Sequence, residues 1–110
     1  MAIYHIVIFK FKYLVPPEEV QAACDRMLAL GQKCTHPTTQ KTYVKVLGGG
    51  KDNSPEGRQN GMTHPFIFQF ESEEDRKHYL EKDPAHLEFV ASIQDILDAA
   101  QVVDFTPGVF

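Results

Sequence analysis

Asn60–Val90 reads NGMTHPFIFQFESEEDRKHYLEKDPAHLEFV, and the change of period inside this stretch decides the fold. Met62 to Phe70 alternates apolar and polar residues at period two, which predicts a strand. Ser72-Glu73-Glu74-Asp75 then opens a helix, with the serine as cap and the carboxylates at the positive end of the helix dipole. Asp83-Pro84-Ala85-His86 opens a second helix, because an aspartate side chain caps a first-turn amide and proline suits the first helical position. His86 therefore falls at the third helical position, near that positive end. Leu87, Phe89, Val90, Ile93, Ile96 and Leu97 recur at helical spacing as the buried set of this second piece.

Upstream, residues 2 to 12 (AIYHIVIFKFK) place Ile3, His5, Val7, Phe9 and Phe11 on one face and Tyr4, Ile6 and Ile8 on the other. Both faces are apolar, which marks a central strand whose second face needs a cover. After the Pro16-Pro17 break, Glu18 and Glu19 start a helix in which Val20, Ala23, Cys24, Met27 and Leu28 repeat until about Leu30 or Gly31. Thr39 to Leu47 is rich in strand formers. The stretch from Gly48 to Asn60, which includes GGGKDNSPEG, reads as a long hairpin loop. Gln101 to Phe105 is a short final strand, ended by Pro107-Gly108. The order β, α, β, β, α(α), β predicts one α+β domain over 1–110 with a ferredoxin-like split βαβ pattern. Pro65 cannot donate to a ladder, so it predicts an irregular strand start beside His64.

The 110 residues, 43% of them hydrophobic, suffice for one core. Eleven basic residues against fifteen acidic ones give a net charge of -4, with no basic stripe. That balance argues against nucleic acid or an anionic membrane as partner. No apolar run approaches bilayer length and no leader pattern opens the chain, so a cytoplasmic setting is expected. Cys24 and Cys34 fit no zinc or redox spacing and read as reduced, structural thiols. Gly48-Gly49-Gly50-Lys51 lacks the Ser or Thr of a phosphate loop. The five histidines show no zinc spacing, so neither a metal nor another cofactor is expected.

His5 heads an apolar strip of Val7, Phe9 and Phe11, and His64 heads another of Phe66, Phe68 and Phe70. In a split βαβ sheet the first and third strands are neighbours, which would bring both imidazoles to the rim of one apolar pocket under the helices. The competing reading is a pair of hydrogen-bonded core histidines. Tyr79 and His86, one ending a helix and the other beginning the next, pair a phenol donor with a titratable base.

The three stretches AIYHIVIFKFK, GGGKDNSPEG and Asn60–Val90 together resemble the stress-responsive A/B barrel (Dabb) family over nearly the whole chain. The resemblance implies a homodimeric α+β barrel with helices outside and two sheets packed face to face. The family includes a plant polyketide cyclase that uses a tyrosine and a Pro-x-His for an aldol ring closure. By that likeness His86 would be the catalytic base and Tyr79 would hold a carbonyl. His5, His64, Phe66, Phe68, Met27 and Leu28 would then line the pocket of an aromatic or polyketide small molecule. Two departures are visible. Tyr79-Leu80-Glu81-Lys82-Asp83 is one residue longer than the cyclase pattern, and apolar Met27 and Leu28 stand where the cyclase has a tyrosine. The family also holds proteins without assigned chemistry, so a cofactor-free cyclase-like or lyase-like catalyst and a non-catalytic stress-responsive or ligand-binding barrel both stay open.

Overall fold

In the computed structural model, which describes residues 1–110, the elements follow as β1 (Ile3–Phe11), α1 (Pro17–Lys33), β2 (Lys45–Gly49), β3 (His64–Phe70), α2 (Glu73–Glu81), α3 (Pro84–Ile93) and β4 (Leu97–Phe105). The four strands form one antiparallel sheet in the order β2-β3-β1-β4, so β1 and β3 are central neighbours. This is the ferredoxin-like α+β arrangement expected from the element order.

The helix starts follow the chemistry of their first residues. Pro17 opens α1 with Glu18 and Glu19 in its first turn, and no side chain caps it. Ser72 caps α2 through Oγ, which accepts the Asp75 amide at 3.1 Å. Asp83 caps α3 by accepting the Ala85 amide at 3.0 Å. The two short helices are separated only by Lys82 and Asp83, whose amides both reach back to the His78 carbonyl.

All helices lie on one side of the sheet. Ile3, His5, Val7 and Phe9 of β1 face them with Phe66, Phe68 and Phe70 of β3, all of them buried. Ala23, Met27, Leu30, Tyr79, Phe89 and Ile93 close the core from above. Burial of each phenylalanine ring contributes roughly 1.5–3 kcal/mol, so these three rings are a major part of the fold's stability. Gly31 lets α1 settle on β2, since a Cβ there would lie 2.9 Å from Val46 Cγ2. The other sheet face carries no helix. Tyr4, Ile6 and Ile8 are half-buried there, beside the exposed Ile67, Val103 and Phe105.

Several boundaries differ from the sequence expectation. The second tandem helix stops at Ile93, so Ile96 and Leu97 are not part of its buried stripe. Leu97 instead begins a nine-residue β4 and the edge strand is longer than Gln101 to Phe105. Pairing along β1 sets this: Phe11 meets Leu97, and a register shift after Lys10 accommodates the turn out of the helix. Leu87 is exposed rather than buried. β2 begins only at Lys45, because the preceding residues form a small turn closed by the Thr35–Thr42 bridge. Pro65 sits one residue into β3, beyond the last β2 pair of Gly49 with Phe66, and no ladder bond from its missing amide is required there.

Candidate functional site

Three rings stand in a row at one end of the sheet. His5, 3% exposed, projects from β1 between its cross-strand partners Phe68 and Asp104. Its Nδ1–H donates to Asp104 Oδ1 at 2.7 Å, and Arg76 of α2 donates to the other carboxylate oxygen at 3.1 Å. Tyr79 lies over His5 edge-on, with centroids 6.1 Å apart, and over Phe68 and Phe70. His86 stacks on the far side of Tyr79, centroids 3.8 Å apart and planes 27° from parallel.

The Nδ1–H of His86 donates to the Tyr79 carbonyl at 2.8 Å, which fixes the tautomer and leaves Nε2 with its lone pair. Burial lowers the His86 pKa, His5 lowers it further, and the carbonyl contact and Asp83 partly offset this. The ring is therefore a neutral base at pH 7. Burial raises the Tyr79 pKa, with Cys34 and Asp83 adding to it, so the phenol stays protonated. A neutral base with one anchored nitrogen beside a protonated phenol has the groups needed to take a proton and to stabilise an oxyanion.

Asp83 does more than cap a helix. It is 2% exposed and accepts the Tyr43 hydroxyl at 2.5 Å in addition to the Ala85 amide. Burial, and then the charge of Asp83, pushes the buried Cys34 thiol up to about 12. The end of α1, the segment before β2 and the first turn of α3 thus meet on one carboxylate. Neither this junction nor the roles of Asp104 and Arg76 were read from the sequence. Parity along VVDF would have put Asp104 beside a strand partner, but only the β1–β4 register shows that the partner is His5.

His64 is not part of this cluster. The expectation that His5, His64, Tyr79 and His86 converge on one internal cavity is not met. Strand parity was sound, since His5 and His64 do share the helix-facing side. However, β1 and β3 run antiparallel, so residues near their starts lie at opposite ends of the sheet. His5 faces Phe68 while His64 faces Phe9, four positions along, which is about 13 Å. The space between them is filled by Phe9, Phe66, Phe68 and Met27. The grooves beside Leu28 and His36, beside Leu30 and Phe89, beside Ile8 and Met62, and beside His64 and Phe66 are not lined by His5, Tyr79 or His86.

Of the remaining expected pocket residues, Met27 is core, Phe68 lies beneath His5 and Tyr79, and Leu28 and Phe66 join His64 in a separate groove of about 470 Å³. His64 is braced there by Phe11 edge-on at 5.1 Å and by the Thr63 hydroxyl, 2.7 Å from Nδ1. Burial, then the charge of Lys51, lowers its pKa. No three His, Cys, Asp or Glu side chains come together in an arrangement that could hold a metal ion.

Residues 3–107 match the model of the Stress responsive A/B Barrel Domain. The chain belongs to this family. An Arabidopsis thaliana protein, At3g17210, is 30% identical, with 98% of this chain and 97% of that one covered and a TM-score of 0.79. A hydroxynitrile lyase from Passiflora edulis superposes with a TM-score of 0.83 at 20% identity, covering 99% and 96% of the two chains. A dimeric ferredoxin-like protein of unknown function from Bacteroides fragilis gives 0.68 at 21% identity, with 94% of each covered. At 20% and 21% identity these last two show the shared fold alone. The curated proteins hold no significant match.

Proposed function

We propose that this family member is a homodimeric barrel that performs cofactor-free acid–base chemistry at His86, on a small aromatic or polyketide-type carbonyl compound. The observation that carries it is the state of His86: neutral, anchored through Nδ1–H, and stacked on a phenol that burial keeps protonated. His86 Nε2 would take a proton from carbon next to a carbonyl. The Tyr79 phenol would donate to the enolate oxygen as charge develops, and the imidazolium would return its proton to the product. His5, held by Asp104, is a positioning residue behind the phenol. In a lyase-like version the proton would come from a cyanohydrin hydroxyl and return to the departing cyanide, which makes such a compound a second assay substrate beside the named activity of the Passiflora neighbour.

The homodimer is supported by the helix-free sheet face, where Ile67, Val103 and Phe105 are exposed beside Tyr4, Ile6 and Ile8, and by the dimeric neighbours. No helix is long and apolar enough to cross a membrane. A reducing, cytoplasmic setting accords with the two free cysteines.

Wild type and His86→Ala are to be assayed with β-polyketo thioesters and with an aromatic cyanohydrin. Turnover that His86→Ala abolishes supports the catalytic role; indistinguishable product profiles remove it. A non-catalytic barrel is the second reading, favoured by the phenylalanines that fill the space under the helices. On that reading replacing His5 or His86 lowers the thermal midpoint, whereas a residue strained for catalysis is neutral or stabilising to replace.

A further inference from the structure

Two carboxylates serve the row of His5, Tyr79 and His86, and they are compensated differently. Asp104 is met by a cation, since Arg76 donates to one oxygen at 3.1 Å while His5 holds the other at 2.7 Å. Asp83, 2% exposed, is met only by neutral donors, the Ala85 amide at 3.0 Å and the Tyr43 hydroxyl at 2.5 Å. It enters no ion pair within the chain. A buried carboxylate without a cation is costly, and the positive end of α3 offsets only part of that cost. Capping does not require the charge, because serine, threonine or asparagine holds a first-turn amide without one. The helix that Asp83 caps carries His86 in its first turn.

We propose that Asp83 is a positioning residue for His86, its buried carboxylate serving as the counter-charge of the imidazolium formed when His86 takes a proton; this rests on the acid–base reading of His86 above. At rest the ring is neutral and the carboxylate has no cation to pair with. Transfer of a proton from substrate carbon to Nε2 creates a cation where burial and His5 both oppose it, and where the Tyr79 carbonyl and Asp83 favour it. The other groups around the ring supply no free anion. Tyr79, stacked on it from α2, and Cys34, at the end of α1, both stay protonated, and Asp104 of β4 is engaged by Arg76 and His5. The attraction between Asp83 and His86 is thus stronger as charge develops than in the resting state, which is the kind of interaction that speeds a reaction. Tyr43, its ring against His36 and His78, pins the carboxylate in place beforehand, so little reorganisation accompanies the transfer.

The test is a pH titration of the histidine rings by NMR in isotope-labelled wild type and Asp83→Asn, which keeps a cap oxygen and loses the charge. The His86 midpoint should fall by about 0.5 or more in the variant, while that of His64, at the opposite end of the sheet, stays in place. Asp83→Ser, also a good cap, should give the same fall and carries the test if the asparagine variant does not fold. On a substrate that the wild type turns over, the acid limb of kcat/KM should move down with the midpoint and kcat should drop about threefold or more. An unmoved His86 midpoint in a folded variant would overturn the proposal, as would an equal fall at His64, which reports general loosening. The titration needs no substrate, so a shifted midpoint in a protein without turnover keeps the coupling of Asp83 to His86 and removes the acid–base reading alone.

Discussion

The ring of Tyr79 lies on that of His86 at 3.8 Å while the Tyr79 carbonyl accepts the His86 Nδ1–H at 2.8 Å. Residue 79 therefore holds residue 86 twice, once through its side chain and once through its backbone. Lys82 ends α2 with φ −133° and lets Asp83 begin α3 at once. Tyr79→Phe keeps both contacts and removes only the phenol. On the proposed chemistry it should lower kcat by about 10²–10³ while the His86 ring resonances stay in place. Unchanged turnover would leave the phenol without a role.

Stability should fall on acidification. His64 and His86 both have folded pKa values below the ordinary histidine value, because burial disfavours their charged forms. The unfolded chain then binds protons first. The stabilisation is full above the unfolded value of about 6.5 and is lost as pH falls through the lower folded values. Urea unfolding at about pH 7.5 and about pH 5.5 should show the loss, and His64→Gln with His86→Asn should flatten it. A steeper dependence in the double variant would count against burial as the cause.

Removing the carboxylate at the three-way junction should be costly. Asp83→Ala deletes the α3 cap and strands the Tyr43 hydroxyl, for a combined loss of about 2–4 kcal/mol by urea unfolding. Tyr43→Phe leaves the carboxylate short of one donor and should cost about 1–3 kcal/mol. If Asp83→Ala unfolds at the wild-type midpoint, the junction contributes nothing.

Gly49→Ala should destabilise by about 1–3 kcal/mol, since the new methyl meets the Phe66 ring and forces it off its place. The reason is space rather than backbone conformation. Gly57→Ala, by contrast, meets no neighbouring atom and loses only the ease of a positive φ of 70°. Thermal midpoints of the pair separate crowding from strain.

The helix-free face offers a direct test of the homodimer. Ile67→Glu places a charge at an exposed position, so the protomer should fold normally yet appear at monomer mass by light scattering at micromolar concentration. A wild-type protein already at the monomer mass would remove the dimer.

Local chemistry written in consecutive residues was legible from the sequence. The alternation of residues 2 to 12 and 62 to 70 pointed to the two central strands, which run Ile3–Phe11 and His64–Phe70, and Ser72 and Asp83 marked two helix starts where α2 and α3 begin. Parity put His5 and His64 on one sheet face, because side chains alternate strictly along a strand. What parity lacks is direction along the partner strand, and the antiparallel pairing of β1 with β3 alone sent the two histidines to opposite ends. The same limit hid the partners of His5 and Asp83. Asp104 lies 99 residues from His5, and Tyr43 lies 40 from Asp83. Such contacts depend on register and on how helices seat on a sheet, which no local pattern of residues encodes.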